Sequence, residues 1–575
     1  MKELFSKILF LSDRIDRIKI ILLFILILSG TFFELLGLGS ILPFLFVVSK
    51  PGLINENFYL NKLYNWISPG SVNNFLIWLG LIIIIVFTLK NAYLFFIQYS
   101  IIKFSTKIHQ KLSSRLFRCY LYSPYTFHLQ RNSAQLLRNL GIVQTVINGI
   151  LIPLITIITN LLLIVSIFIM LVFVDITSSL IVFSFLGLIS FIYFSIFKRK
   201  LSRFGEELNY HYEMLFKQFN QGLGSIKESK ILGREHFFDK SYSYHLVGLN
   251  KILNWQQSIG VLPNFIIETL MVTLILFIMF FAIFRGHEIN TILISVSFFG
   301  LAAIRLMPSI NKINSSVNLI KFYIPGLEEV FSDLKMSESY TKTIPFQKIE
   351  SELIFNKELE LRQIYFSYDG TDKTVLENIS LKISKNSTVG FVGKSGAGKT
   401  TTVDIILGLL NPNSGKVLVD GFDIHENIRS WQSKVGYIPQ QIYLMDETIT
   451  ANIAFGIPEN EVNLSKIQIA LSLAQLDEFV SQLPNGLNTI IGESGVRVSG
   501  GQRQRIGIAR ALYNEPELLI MDEATAALDN ETEKAFMEAI ESLSGKRTII
   551  IIAHRLTTVA NVDKIFFFSQ GKLNS

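Results

Sequence analysis

Apolar residues are distributed unevenly along this chain of 575 residues. In the first half they gather into runs of about 20 or more, enough for a helix to cross a hydrocarbon layer. Six runs stand out: Ile18 to Val48, Asn74 to Ile102, Ile142 to Val174, Ile176 to Phe197, Ile259 to Phe284, and Ile289 to Leu306. After Ser351 the pattern shortens. Glu358 to Tyr368 alternates as a half-buried strand does, Thr388 to Val392 and Leu518 to Met521 read as buried strands, and Val403 to Leu410 reads as a helix. Two bodies with different solvents are predicted: an all-α membrane domain over 1–335 and an α/β domain over 356–575. The mostly polar stretch 336–355 links them.

Composition agrees, since 50% hydrophobic residues against 17% charged is too apolar for an ordinary soluble enzyme. The single cysteine, Cys119, excludes an intrachain disulfide, and the eight histidines show no zinc-ligand spacing. A net charge of +7 raises the question of nucleic acid. The basic residues sit at the ends of apolar runs, however, which is where orienting charges sit beside anionic lipid, so no nucleic-acid partner is expected. The basic N-terminus leads into the first run without a small-residue cleavage site, which reads as an uncleaved anchor.

Charge also sets orientation. Lys2, Lys7, Arg14, Arg17 and Lys19 precede the first span; Lys103 through Arg138 supply a basic connection between the second and third; Lys198, Arg199, Lys200 and Arg203 follow the fourth. The opposite connections hold little beyond Asp175 and Arg285. The positive-inside rule therefore puts both termini in the cytoplasm. The two long basic connections suit helices that continue past the bilayer and turn at Ser123-Pro124-Tyr125 and at Gly222-Leu223-Gly224-Ser225. An outer connection, Ser49 to Asn73, carries Phe58, Tyr59, Leu63, Tyr64, Trp66 and Ile67 at near-helical spacing. It reads either as an interfacial amphipathic helix or as a cap packed on the helix ends.

Ionisable groups inside spans face protein or water. Glu34, Lys90, Glu268 and Arg305 are of this kind. Arg305, with Lys90 and Glu34, is a candidate lining for a central cavity that meets an anionic substrate, since a guanidinium fork suits phosphate. The alternative is an ion pair of Arg305 with Glu34 or Glu268 that only holds helices together.

The C-terminal half carries the chemistry. Gly393-Lys394-Ser395-Gly396-Ala397-Gly398-Lys399-Thr400-Thr401 follows an apolar strand and opens a helix, matching G-x-x-x-x-G-K-[ST] in the context a phosphate-binding loop requires. Glycines let backbone N–H groups surround phosphates, Lys399 supplies a positive charge, and Thr400 offers a hydroxyl to Mg²⁺. Leu518 to Glu523 reads as a buried strand ending in two acids, of which Asp522 would hold Mg²⁺ and Glu523 would polarise the attacking water. Ser499-Gly500-Gly501-Gln502, followed by Arg503-Gln504-Arg505, is the remaining distinctive run.

With these motifs in order, residues 356–575 resemble the nucleotide-binding domain of ABC ATPases. The resemblance implies ATP and Mg²⁺ as cofactors, and it implies a homodimer, because the Ser499–Gln502 signature reaches an ATP held by a second copy. It further implies that Tyr368 stacks on adenine, that Gln440 senses the metal, and that His554 reaches the γ-phosphate. Glu493 and Leu528-Asp529 match an exporter-specific loop and a dimer contact. Val498 stands where leucine is usual and Ala526 where serine is common.

The whole chain resembles an exporter-type half-transporter, six spans followed by one ATPase domain, with coupling helices at the two cytoplasmic turns. Arg305-Leu306-Met307-Pro308-Ser309, the outer aromatic segment and Glu34 are similar to the bacterial flippases that turn a lipid-linked oligosaccharide in N-linked glycosylation. That resemblance implies the bacterial inner membrane and an amphiphilic, pyrophosphate-bearing lipid-linked glycan as substrate. Export of another lipid, peptide or drug, and an ATP-gated channel or regulatory ATPase, are the alternatives.

Overall fold

The computed structural model describes all residues but 1–2, 4–5, 8–9, 11–12, 50, 174–175, 285–288, 342–351, 369, 372, 493–494, 524–529, 554–558 and 575. The chain divides into two compact units, Met1–Ser123 with Gln130–Thr343, and Pro124–Leu129 with Ile344–Ser575.

The first unit is all helix. Its elements are α1 (Arg14–Ser49), the short α2 (Phe58–Ile67) and α3 (Val72–Tyr122). The chain then leaves this unit through α4 (Tyr125–Gln130) and returns as α5 (Ser133–Val146) and α6 (Ile152–Val172). The last elements are α7 (Ile176–Gly224), α8 (Ile226–Leu232), α9 (Glu235–Phe284) and α10 (Ile289–Thr341). Among the described residues, five stretches are long and apolar enough to cross a membrane. The sixth apolar run forms the start of α10, where the side chains of residues 285–299 lie outside the described residues. Apolar side chains such as Ile84, Phe95 and Phe191 are exposed along these helices, as a lipid solvent allows.

The spans pack through Leu163, Ile167 and Leu171 of α6 against Ile267 and Met271 of α9 and Ala302, Ala303 and Leu306 of α10. The small Ala302 and Ala303 let backbones approach. Between α5 and α6 the helix opens into a π-turn at Ile147–Leu151, just before Pro153, which cannot donate to the helical ladder. The outer segment is a short helix that packs on the ends of its neighbours. Asn57 caps α2 by accepting from the N–H groups of Tyr59 and Leu60; Leu60, Leu63, Tyr64 and Ile67 pack with Val47 and Phe75, while Phe58, Tyr59 and Trp66 stay exposed.

The second unit holds two sheets. An antiparallel sheet runs β2-β1-β4-β5, and a second runs β10-β9-β3-β8-β7-β6, parallel from β9 to β6. The strands are β1 (Glu358–Ser367), β2 (Thr374–Ser384), β3 (Thr388–Gly393), β4 (Ser414–Val419), β5 (Phe422–Asp423), β6 (Val435–Ile438), β7 (Leu518–Asp522), β8 (Thr548–Ala553), β9 (Lys564–Ser569) and β10 (Lys572–Asn574). In β1 the buried positions are Leu359 and Leu361, then Ile364 and Phe366. Their alternation skips one residue at a bulge, where Gln363 takes a positive φ of 49°. Strands β7 and β8 are buried along their whole length, which is why they read as unbroken apolar runs.

Candidate functional site

The phosphate-binding loop joins β3 to α11 (Lys399–Ile406). Its first glycine is fixed by sterics: at Gly393, with φ 157°, a Cβ would stand 2.3 Å from the carbonyl oxygen of Phe568 on the paired strand β9. At Gly398 a Cβ would meet Leu376 at 2.5 Å. Lys394, Ser395 and Gly396 are exposed, whereas Ala397, Gly398 and Lys399 are buried beneath them. Lys399 donates to the carbonyl oxygens of Gly393 at 2.7 Å and Lys394 at 3.1 Å, so its ammonium spans the inside of the loop. Burial makes Lys399 a weaker base, and the charges of Glu523 and Asp522 oppose that effect. The loop lysine and the strand-end acids thus share one electrostatic site.

Those acids come from β7, separated from β3 by β8 alone. Asp522 is 6% exposed, and Glu523 follows it in a left-handed conformation with φ 49°. Gln440, just beyond β6, donates its side-chain amide to Glu523 Oε2 at 2.8 Å. Thr400 is exposed at the start of α11, Thr401 is buried, and Tyr368 sits beside them with its hydroxyl 3.3 Å from Thr401 Oγ1. Asp404, one helical turn on, was not singled out by motif. Burial, reinforced by the charge of Asp522, pushes its carboxyl up to about 6. The carboxylate of Asp522 and the exposed Thr400 hydroxyl are oxygen donors of the kind that suit a divalent cation, and the glycine cradle suits a polyphosphate.

Ser499 caps α12 (Gly500–Leu512) by a reciprocal capping box: it accepts from the N–H of Gln502 at 3.2 Å, and Gln502 Oε1 accepts from the N–H of Ser499 at 2.9 Å. Ser499 and Gly500 are exposed at this helix N-terminus, and Gly501 and Gln502 are partly so. His554, Glu493, Ala526 and Leu528-Asp529 lie outside the described residues.

The compact unit that holds this site also includes Pro124–Leu129. Phe127 of α4 is 7% exposed, and burial near Asp404 and Tyr368 makes the Tyr125 hydroxyl a weaker acid.

In the membrane helices, Glu34 and Arg305 line one cleft of about 420 Å³, with Gln98, Thr156, Asn160 and Lys312 among its walls. Arg305 Nη1 lies 3.7 Å from Glu34 Oε1. Lys90 is buried, its ammonium 4.4 Å from the centre of the Phe87 ring and its stem against Gly37; it is not part of the described lining. Glu268 lines a different, larger cleft. A separate apolar groove of about 560 Å³ is lined by Phe32 to Ser40 of α1, Val86 of α3, and Ser166 to Phe173 at the end of α6.

Membrane-spanning helices joined in one chain to a phosphate-loop domain with paired acids define an ATP-binding membrane protein. Residues 19–308 match the ABC transporter transmembrane region and residues 376–526 match the ABC transporter domain, so the chain belongs to the ABC transporter family. The nucleotide-binding domain of this family takes ATP with Mg²⁺, and the cradle, lysine and acids described above fit that pair.

Among similar proteins, a multidrug resistance protein of Entamoeba histolytica is 43% identical over 219 residues, covering 38% of this chain and 17% of that protein. An ATP-dependent lipid A-core flippase of Pectobacterium atrosepticum is 42% identical over 217 residues, covering 38% of this chain and 37% of that protein. The heterocyst differentiation ATP-binding protein HepA of Nostoc is 38% identical over 279 residues, covering 48% of this chain and 44% of its own. The matched stretches thus span less than half the length of these relatives. A solved structure, a bacterial Atm1-family ABC exporter with ATP bound, shares the fold at a TM-score of 0.77 and 20% identity, covering 98% of this chain and 95% of that one.

Proposed function

We propose that two copies of this chain form an ATP-driven flippase of the bacterial inner membrane, with cytoplasmic termini. Its proposed substrate is an amphiphile with a phosphate-bearing head, a lipid-linked oligosaccharide. The observation that carries this reading is the polar cleft bearing Arg305, set between membrane helices. A cationic fork in a cleft between membrane helices suits the phosphate of such a head.

In the nucleotide site, Lys399 and the loop N–H groups hold the β- and γ-phosphates, and Tyr368 stacks on adenine. Thr400, Asp522 and Gln440 would hold Mg²⁺, which would supply positive charge against that developing on the transferred phosphoryl group. Glu523 accepts a proton from the attacking water, and His554 steadies the γ-phosphate. Ser499–Gln502 of the second copy closes each site, since it stands at an exposed helix N-terminus of the kind that meets an anion. Closure by ATP and release by hydrolysis then bias the membrane helices between two states, with α4 and α8 as the coupling elements.

Purified protein in proteoliposomes with a fluorescent polyprenyl pyrophosphate glycan tests the reading. ATP-dependent movement of the label between leaflets is the expected result. Movement of another lipid but not of the glycan would favour export of a different amphiphile, consistent with relatives named as lipid A-core flippases. Ion flux without stoichiometric ATP turnover would point to a channel.

A further inference from the structure

Beyond their apolar runs, α7 and α9 pack through a seam in which Leu208 and Leu215 of α7 meet Leu249 and Ile252 of α9. Two histidines occupy that seam at the same helical spacing, His211 between the two leucines and His245 one turn before Leu249. Their rings meet with Nδ1 3.1 Å from Nδ1, although 34 residues separate them in sequence. His245 is 8% exposed and His211 partly so, while Tyr210 and Tyr244 beside them are exposed, which puts the pair at the edge of the seam. The facing helix makes room for it. A Cβ at Gly248 would stand 2.4 Å from Cε1 of His211 and 2.6 Å from its Nε2, so any larger residue there would push the ring aside. The pair lies about 20 Å along α7 from its end at Gly224, where the turn into α8 begins.

We propose that His211 and His245 form a two-histidine site for a divalent transition ion of the copper, nickel or zinc class, which ties α7 to α9 on the approach to α8. As a plain contact the pair makes one hydrogen bond, in which one ring donates its Nδ1–H to the other. With that proton on Nε2 instead, both Nδ1 lone pairs face one point and no proton has to leave. Two nitrogens held about 2.0–2.1 Å from a tetrahedral zinc ion stand about 3.3 Å apart, close to the 3.1 Å between these two. Mg²⁺, which prefers oxygen, does not compete for imidazole. Among the described residues no third histidine, cysteine or carboxylate joins the pair, so water fills the remaining positions and the site is an open one. Because the two ligands come from different helices, energy of binding the ion also stabilises the packing of α7 on α9. The site stands apart from the nucleotide and substrate readings and depends on neither.

Full-length protein in detergent, purified without a polyhistidine tag, is titrated with copper(II) and zinc(II) salts and followed by calorimetry and, for copper, by electron paramagnetic resonance. The wild type should take up copper more tightly than zinc, with a spectrum split by two imidazole nitrogens. His211→Gln and His245→Gln should each lower copper affinity about 10-fold or more and reduce the splitting to one nitrogen, since even a ligand's outer-shell partner carries that much. His245→Cys, which keeps a zinc ligand, should hold zinc where His245→Gln does not. Gly248→Ala keeps both histidines and crowds His211, so it should weaken both ions. A two-nitrogen signal that persists in both glutamine variants would place the ion elsewhere and overturn the site. The absence of saturable uptake below about 1 mM would do the same, leaving the histidines as a hydrogen-bonded pair. Should the glutamine variants aggregate, the other two decide: zinc lost from monodisperse His245→Cys, or wild-type affinity in Gly248→Ala, overturns the proposal.

Discussion

The amide of Gln440 and the carboxylate of Glu523 meet at 2.8 Å although 83 residues separate them in sequence. The contact ties the loop after β6 to the end of β7. It holds the carboxylate at the mouth of the site, where Glu523 already occupies a left-handed backbone conformation that side chains rarely take. Position is therefore imposed on Glu523 from both its backbone and its side chain. Replacing Glu523 by Gln keeps the shape and removes the proposed proton acceptor. Turnover should fall by about 100-fold or more while ATP remains bound. Steady-state ATPase together with retention of labelled nucleotide checks this, and brisk hydrolysis by the variant would remove Glu523 from its role. Gln440→Ala should lower kcat with a smaller effect on the KM for ATP, because it frees the acid without touching the phosphate cradle.

Gly393 is held by its neighbour rather than by its own flexibility. A Cβ there would stand 2.3 Å from a backbone oxygen of β9, so the strands must part at the entry to the loop. Gly393→Ala should weaken nucleotide affinity at least about 10-fold and lower stability by roughly 1–3 kcal/mol. Fluorescent-nucleotide titration and thermal unfolding measure the two effects separately. Normal affinity in a stable variant would show that the close approach to Phe568 is unimportant.

Asp404 supplies a pH signature. Its carboxyl is raised from the ordinary 3.8 to about 6, first by burial and then by Asp522. The folded domain therefore binds this proton more tightly than the unfolded chain does. The associated stability is fully present below about pH 4 and is lost as pH rises through about 6. At neutral pH the carboxylate is an ionised group held in a poor solvent. Asp404→Asn should stabilise the nucleotide-free protein at pH 7.5 by an amount on the order of 1 kcal/mol, seen as a higher Tm, and flatten the Tm profile between pH 4 and 6. A Tm profile identical to wild type would dismiss the group.

Much of the nucleotide site was legible because its parts are local. Gly393 to Thr401 must follow a strand and open a helix, and the unbroken apolar run before Asp522 already reports burial on both faces. The meeting of Gln440 with Glu523 was not local and left no mark in spacing. Asp404 was missed for the same reason, as its neighbour Asp522 lies far along the chain. In the membrane unit, charge was legible as orientation but not as structure. Arg138 counts as one more basic residue in a connecting segment, yet it is 3% exposed, donates to Glu213 at 2.9 Å and pairs with Glu329. Asn139, beside it, donates to Asp333, which also accepts from Tyr120. That network joins α3, α5, α7 and α10, and only the fold reveals it.

Arg138 is accordingly expected to matter for stability. Arg138→Ala would leave Glu213 and Glu329 without their cation, and because both carboxylates are about a third exposed the cost should fall between the exposed and buried cases, at about 1–3 kcal/mol. Arg138→Met keeps much of the packing and should cost nearly as much, since the stranded carboxylates remain. Restoring balance with Glu329→Gln in the same chain should recover part of the loss. Additive losses in the double variant, measured by thermal unfolding in detergent, would show that the two residues do not act as a pair.

Arg305 carries the sharpest choice between structure and function. Its guanidinium lies 3.7 Å from Glu34, and its side chain is 37% exposed against 15% for Glu34. That separation is beyond hydrogen-bond distance, and an ion pair this open contributes little to holding helices together. A guanidinium has five N–H donors, so Glu34 can steady it on one side while the fork remains open to an oxyanion in the cleft. Arg305→Ala should therefore reduce flipping about 10-fold or more and blunt substrate stimulation of ATPase, with Tm nearly unchanged. Arg305→Lys should recover only part, because a point charge cannot reproduce the fork. Glu34→Gln should have a smaller effect, since it removes the support and keeps the cation. If Arg305→Ala lowers Tm by several degrees while the folded fraction flips substrate at the wild-type rate, the residue braces helices and the phosphate must be sought elsewhere in the cleft.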